Sequence, residues 1–560
     1  MAGGKMPVIR SNFARNSAVS LSILAASAFC AGSLSAAQIE TGNPDIRIYF
    51  DNTLKYSLAW RVTGPDAAVA DSSIGVQANT NDGDQNFDQG LISNRVDLLS
   101  EFGFTYKKVY GFRVSAAAWY DDVYQGSNDN PGDLGGALVN SRSVPYNEFT
   151  DETQKLHGGD IELLDAFVFG QIPVGSLAVN VKGGRFTQLY GESLFFGSNG
   201  IAAAQTSLDL VKALSVPNSR FQEILRPVGQ IAAQVVINPE LSVGAYYQLE
   251  WRKTRLPGAG SYFSFADFVD DGGESVILGP GTVVFRGDDI DARDSGQGGF
   301  QIKWNPDDIE YGLYFAQFHD KIPQFYLRPG VNVQPGSVGD YVQVFGEDIL
   351  TVGVSASTLI GDTNVAAELS FRDNMPLVAS GNAVITSDPT ADGGDNAAFP
   401  VGRTLHFNAS MIDVYNESWL WDGASILAEF AYNNRLAIDK NRDQLDPLAT
   451  KDAGALQFLF TADYFQVLPG LDLQVPVGVS YGLFGRSSVN GALFPSEGGG
   501  VMSIGLKADY QRLWQASVNY AHYYGAAGSI VRYDTTVPEL SYKNFHGDRD
   551  FISLSIQRTF

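Results

Sequence analysis

At 560 residues the chain has room for several ordinary domains or for one very large barrel. A formal net charge of −24 excludes a nucleic-acid binder, which needs a basic surface. A mean hydropathy near zero, with 18% charged and 12% aromatic residues, excludes both a helical membrane protein and a disordered chain.

The N-terminus reads as a secretory signal over residues 1–37, leaving a mature chain of 38–560. Lys5, Arg10 and Arg15 form its positive region, residues 18–31 its apolar region, and Ser35-Ala36-Ala37 the small residues before cleavage at Gln38. The apolar run is too short and too rich in Ala and Ser to span as a helix. Cys30 is the only cysteine and lies in this signal. Phe29 before it departs from the small residue of a lipoprotein signal, so no lipid anchor is expected. The mature chain has no thiol for a disulfide or a cysteine metal site. No metal and no cofactor are expected.

The stretch IRIYFDNTLKYSLAWRV, residues 46–62, alternates strictly. Ile46, Ile48, Phe50, Leu54, Tyr56, Leu58 and Trp60 fall on one face; Arg47, Asp51, Lys55 and Arg61 fall on the other. A tilted membrane-spanning strand needs roughly ten residues of such alternation. Residues 94–106 repeat it, with Arg95, Asp97 and Glu101 inward, and a strand with Phe112, Val114, Ala116 and Ala118 outward follows after Lys107 to Val109. Later pairs meet at Pro173-Val174-Gly175, Asn238-Pro239-Glu240, Asn305-Pro306-Asp307-Asp308, Gly361-Asp362 and Leu468-Pro469-Gly470, as tight turns should. Residues 471–483 alternate again, with Pro476 as a weak point in the ladder.

The expected fold is all-β: one large antiparallel transmembrane barrel of about 18 strands, within a range of 14–18. Short links alternate with long ones throughout, as in outer-membrane barrels with short periplasmic turns and long external loops. The chain ends on Phe560, with Ile556, Leu554 and Ile552 on its face. That resembles the terminal signature read by the barrel-insertion machinery, from which Arg558 departs. A soluble sandwich, β-helix or propeller would explain neither feature, and no blade-length repeat occurs.

Most long links are acidic and rich in Gly and Asn. Residues 66–93 hold five Asp, read as a solvated external face; bridging of divalent cations to lipopolysaccharide is the functional alternative. Residues 189–228 are too apolar for an exposed loop of that length. Thr206 or Ser207 could cap a short helix through Leu214, stopped by Pro217, with Leu208, Val211 and Leu214 on one face. The expected place for this segment is the lumen, as a plug.

The motifs GNPDIRIYFDNTLKYSLAWRV, ELLDAFV, GGRF…GESLFF…PVGQ, LEWRKTRLPGAGSYFS, GQGGFQIKWNP and EDILTVGVSASTLIG…AELSFRDNMPL resemble the proteobacterial proteins catalogued as domain of unknown function 1302. The resemblance covers essentially the whole mature chain, with Tyr190 where family members usually carry Trp. It implies an outer-membrane protein of no settled activity. Its gene neighbourhoods imply partners: a periplasmic lipid-carrier-like protein and an exporter of the resistance–nodulation–division type. They also imply movement of an apolar small molecule, lipid- or steroid-like.

The charges of the unusual segment are Arg185, Glu192, Asp209, Lys212, Glu223 and Arg226. The structural reading pairs them with one another. The functional reading makes them a polar clamp on an amphipathic ligand, with Phe195, Phe196, Ile201, Leu208 and Leu214 lining an apolar slot. Alternation from Val181 sets Arg185 toward lipid, at a cost of about 2–4 kcal/mol in mid-membrane. A bulge at Gly183-Gly184 is expected to turn it inward. The lumen-facing charges Arg47, Lys55, Arg95, Asp97, Glu101, Arg113, Glu250, Glu368, Arg372, Glu429, Lys507 and Asp509 mix signs, which suits cross-strand pairs better than a charge-selective ring.

An enzyme is not expected. Five His occur, at 157, 319, 406, 522 and 546, without a G-x-S-x-G elbow or an H-E-x-x-H run. The leading reading is an outer-membrane barrel passing hydrophobic or amphipathic small molecules, in contact with membrane lipid and lipopolysaccharide. A general diffusion porin and a surface-interaction barrel are the alternatives.

Overall fold

The computed structural model describes residues 37–560, apart from 71–76, 133–139, 218, 220, 280, 533, 534 and 536. The signal segment through Ala36, including Cys30, therefore lies outside the described residues.

Among the described residues, eighteen antiparallel strands pair in chain order. They are β1 (Ile46–Arg61), β2 (Gly90–Tyr106), β3 (Tyr110–Asp121), β4 (Gly159–Val174), β5 (Leu177–Phe186) and β6 (Val228–Asn238). Next come β7 (Leu241–Gln248), β8 (Gln297–Trp304), β9 (Ile309–Phe318), β10 (Ile349–Ile360), β11 (Thr363–Pro376) and β12 (Val401–Tyr415). The last are β13 (Gly423–Lys440), β14 (Asp452–Leu468), β15 (Leu471–Gly485), β16 (Gly500–Tyr510), β17 (Trp514–Tyr524) and β18 (Phe551–Thr559). β18 pairs with β17 on one side and with β1 on the other, so the sheet is a closed barrel without open edges. A short strand, Ala37–Ile39, adds to the start of β1.

Alternation decides the two faces. On β1, Thr53, Lys55, Ser57, Ala59 and Arg61 are buried inside the barrel, while Phe50 is exposed outside. Val114, Val168, Ile231, Val354 and Ile504 continue the exposed apolar belt on other strands. So large an apolar surface is a membrane face. The C-terminus is bound into this wall: Phe560 and Asn52 exchange backbone hydrogen bonds of 2.9 Å in both directions. The guanidinium of Arg558, the departure from the terminal pattern, lies 5.0 Å over the Trp514 ring. Pro476 leaves the β15–β16 ladder unpaired at 475 and 476, yet the register is the same on both sides of the gap. Its missing N–H removes a ladder bond without a bulge.

The long links are more structured than a solvated face. Ser275–Gly279, Thr282–Arg286, Gly339–Val344, Gln324–Pro329 and Val384–Ile385 form a second, five-stranded sheet drawn from three of them. Phe268, Val276, Val284, Phe325 and Tyr341 make an apolar core under it. Residues of the 66–93 link are also buried: Asp84 pairs with Arg549 at 2.7 Å, and Phe87 packs with Phe149 and Tyr262. Ala59, Ala521 and Phe551 of the barrel wall belong to the same cluster as Tyr262 and Phe263, so these links fill the lumen at its long-link end. Among the described residues, no group of three or more His, Cys, Asp or Glu is placed to hold a metal.

Two acids of this cap titrate unusually. Burial pushes Asp82 up to about 7. Burial, then the Asp82 charge beside it, pushes Asp267 well above the usual carboxylate range. A carboxyl whose folded pKa is raised contributes stability at acid pH and loses it as pH rises toward the folded value. Cap stability should therefore fall as pH rises from about 4 through about 7, with Asp267 adding to the loss. Limited proteolysis of the cap across that range checks this; Asp82→Asn should flatten the profile, and a cap equally resistant throughout would contradict it.

Candidate functional site

The segment 187–227 leaves β5 after Phe186 and re-enters the wall at Val228, directly opposite in the ladder. Between them it crosses the lumen, held by inward-facing side chains of many strands. Its first leg is gripped through its backbone. The Glu429 carboxylate on β13 accepts the successive N–H groups of Leu194 (3.1 Å), Phe195 and Phe196 (2.9 Å). Glu368 on β11 accepts from Glu192 N (2.6 Å) and Ile201 N (3.0 Å). Arg372, four residues along the same strand and on the same face, donates to the carbonyls of Ser198 (3.2 Å), Asn199 (2.9 Å) and Gly200 (2.7 Å). A loop in a lumen has no ladder of its own, and these charges supply the partners its backbone needs.

Two glycines make the approach possible. A Cβ on Gly191, whose φ is +95°, would sit 2.5 Å from Glu368 Oε2, and one on Gly200 would sit 2.2 Å from Oε1. The Glu368 carboxylate therefore fits only between two residues without side chains. The Asn199 side chain is a second junction: it donates to Asn408 Oδ1 (2.7 Å) and meets His406 Nδ1 (3.1 Å) and Asn433 Nδ2 (3.2 Å).

The second leg starts with Ser207–Leu208, which pairs with Leu225–Arg226 as a small hairpin inside the barrel. That pairing keeps residues 207–208 extended and moves the helix start two residues on from the expected cap. Asp209 caps the helix Leu210–Ser215 instead, accepting from Lys212 N at 2.9 Å. Around it lies a cluster of ion pairs: Arg255–Asp209 at 2.6 Å, Arg252–Glu162 at 2.5 Å and Arg255–Glu162 at 3.0 Å. Arg226 donates to the Lys253 carbonyl, and its Nε has no hydrogen-bond partner among the described residues. Burial, then Arg255 and Arg252, lower its pKa to about 9.

The residues expected at the site go to separate places. Phe195 and Phe196 pack on Ala431, Ala453, Ala455 and Phe494. Ile201 packs with Tyr190, Tyr246 and Tyr314, so Tyr190 serves as a buried aromatic anchor. Leu214 reaches the Phe87–Tyr262 cluster, and Leu208 is half-buried within the hairpin, paired with Leu225. Glu192 pairs with Lys303 at 3.3 Å, far along the wall from the Asp209–Lys212–Arg226 cluster. Glu223 instead lines a pocket with Lys212.

Arg185 requires a correction. The β5 ladder runs through Gly183, Gly184 and Arg185 on both sides without a register shift, so the expected bulge is absent. Arg185 keeps the outward register, sharing its face with Gly183 and Gly229. The local distortion is confined to Gly184, whose φ is +127°. The residue sits at the strand end, where Glu250 pairs with it at 2.9 Å and the Pro227 carbonyl accepts from Nε. Glu250 also accepts from Gly229 N at 2.7 Å, so it belongs to this rim pair rather than to the lumen. Half-exposed pairs of this kind contribute little. Arg185→Leu should change unfolding stability by less than about 1 kcal/mol in a urea titration on vesicles; a loss of several times that would place the pair in a dry site.

Sequence reasoning placed Glu368, Arg372 and Glu429 in the lumen but missed their role as grips. It also missed Leu256–Phe268 region residues such as Tyr262, which fill the upper lumen; the run SYFSFADF carries the same apolar signal as the first segment.

Over residues 18–560 the sequence matches one family model. The chain belongs to the family described as "Protein of unknown function (DUF1302)". No curated protein matches it in sequence. Among solved structures, it is similar to OccAB1 of Acinetobacter baumannii, at 9% identity and a TM-score of 0.42, covering 92% of this chain and 96% of that one. It is also similar to OccK9 (OpdG) of Pseudomonas aeruginosa, at 10% identity and a TM-score of 0.41, covering 92% and 98%. Likeness at that level says nothing of substrate.

Proposed function

We propose that this DUF1302 chain is an outer-membrane barrel that passes hydrophobic or amphipathic small molecules rather than bulk water. The observation that carries this reading is the filled lumen: the segment 187–227 crosses it in the grip of Glu429 and Glu368, and Tyr262 and Phe263 pack its long-link end. Beside the helix Leu210–Ser215, Leu99, Ala117, Trp119, Leu164 and Val216 line a small cleft of about 30 Å³ together with Lys55, Asp97 and Glu223. A lumen crossed by a gripped segment and filled at its long-link end also suits a selective path better than general diffusion. A periplasmic lipid carrier and an exporter would hand the guest to the short-turn end.

Trp119 on the pocket wall offers the test. A bromine-tipped dodecanol should quench its fluorescence in the refolded 38–560 chain. Ala117→Phe fills the pocket and should remove that quenching. Equal quenching in both would assign the effect to micelle-exposed tryptophans and remove the support for an apolar guest.

A further inference from the structure

On the short-turn side of the gripped leg the inner wall changes character. Ser410 on β12 and Glu429 on β13 face inward, since both bond the crossing segment. Two residues on from Ser410 and two back from Glu429, the same faces carry Ile412 and Leu427, partners in the ladder. Leu427 pairs in turn with Leu459 on β14. No register shift separates these residues from Glu429, so the pleat keeps all three on the lumen side. Three large aliphatic side chains thus form one row across three strands.

None of the three is buried. Each is half-exposed, and Val414, one step nearer the mouth on the same face as Ile412, is 64% exposed. An inward side chain keeps such exposure only where the lumen is unfilled. In the same row the wall turns small or polar on either side, with Asn364 on β11 and Gly478 and Ser503 on β15 and β16. A contiguous apolar patch bounded in this way marks a place for an apolar partner.

A cation stands on the mouth side of the row. Lys507 on β16 faces inward, four residues along from Ser503. The acids nearest it in the ladder are served by other groups. Asp463 accepts from Gln474 at 2.7 Å, and Asp509 accepts from Arg512 N at 2.9 Å and Gln515 at 3.1 Å. Among the described residues, no carboxylate forms an ion pair with Lys507. By strand spacing it lies about 10 Å across and about 13 Å along from Leu459. Gly478, Pro476 and Gly505 lie between, and none carries a long side chain to interrupt that path.

We propose that the Ile412–Leu427–Leu459 row holds the alkyl chain of an amphipathic anion whose head rests at Lys507. This rests on the apolar-passage reading and gives the guest a station on the short-turn side of the plug. The head stays in the wet part of the lumen, so its pairing with Lys507 is weak and sets direction, while the chain supplies the affinity.

Residues 38–560 contain no cysteine, so a single acrylodan label can be placed at will. The refolded chain in lipid nanodiscs carries it at Thr461→Cys, facing the lumen beside the row, or at Ile504→Cys, facing lipid. Dodecanoate should give a saturable blue shift at 461 and only an unsaturated drift at 504. Leu427→Ser with Leu459→Ser should weaken the 461 response to dodecanoate and dodecanol alike, about tenfold. Lys507→Met should weaken dodecanoate alone, about threefold, and high salt should do the same to the wild-type chain. Should the double variant fail to fold, the wild-type titrations and Lys507→Met decide. Identical titrations at 461 and 504 assign the response to the bilayer and overturn the site. Equal affinity for the two probes, unmoved by Lys507→Met, overturns the anionic head. A silent 461 label with Trp119 still quenched overturns the site and leaves apolar passage standing by another route; silence at both positions overturns that reading as well.

Discussion

Replacing residues 189–226 with a tight turn should raise single-channel conductance sharply in a planar bilayer, and removing the 250–274 stretch as well should yield a large, steady, ohmic pore. An eighteen-strand barrel is wide enough to leave an aqueous channel when nothing fills it. Here two fillings lie in series. Glu429, Glu368 and Arg372 hold the first across the lumen. Tyr262 and Phe263 pack the second against Ala59, Ala521 and Phe551. Resistances in series add, so the double deletion should conduct more than either single one. The wall should survive both cuts, because Phe186 is already paired with Val228 and Gln248 with Gln297. Heat-dependent gel mobility verifies folding. A wild-type chain that already conducts like an open porin would contradict the filled lumen and favour general diffusion.

The second large effect is expected from Glu429→Ala. One carboxylate, 1% exposed, serves three successive backbone N–H groups, and Asn408 holds its other oxygen at 2.7 Å. Removing it leaves buried donors without acceptors, a cost of about 3 kcal/mol or more. The loss falls on the segment and not on the barrel ladder, which is made of backbone bonds that the substitution does not touch. Amide exchange at Leu194–Phe196 should therefore quicken about a hundredfold, while the global unfolding midpoint in urea barely moves. Glu429→Gln, which keeps an acceptor oxygen, should show a smaller increase. A global loss of stability with no local change at 194–196 would show that Glu429 supports the wall instead.

The cleft beside the Leu210–Ser215 helix and the Glu429 grip touch different parts of the same segment. Loosening the first leg therefore need not empty the pocket. Glu429→Ala should conduct in flickers while still binding the apolar probe. The two measurements together separate gating by the Glu192–Ile201 leg from ligand contact by the Leu210–Ser215 helix.

By itself the sequence determined the barrel, a count of about eighteen strands, the outward and inward faces of β1 to β3, and the presence of an apolar segment that could not lie in water. Each of these rests on a local pattern. Alternation along Ile46–Arg61 needs no knowledge of its neighbours, because the pleat alone assigns the faces. The same local rule also exposed the problem of Arg185, and failed to resolve it, because the answer lay in Glu250, sixty-five residues away. Strands within the long links, such as Ser275–Gly279 and Thr282–Arg286, were legible in principle from their β-branched runs, but an acidic average over the whole link hid them.

Only the tertiary structure decided what holds the segment and where its charges go. Glu429 and Phe196 are 233 residues apart, and Lys55 and Pro217 are 162 apart. A lumen-facing acid looks the same in sequence whether it pairs across strands, grips a backbone or waits for a ligand. Closure of the wall settles which of these it meets, because curvature brings inward side chains from opposite strands onto one enclosed segment. The pairing of charges is thus a property of the closed barrel, whereas the alternation that builds the barrel is a property of each strand.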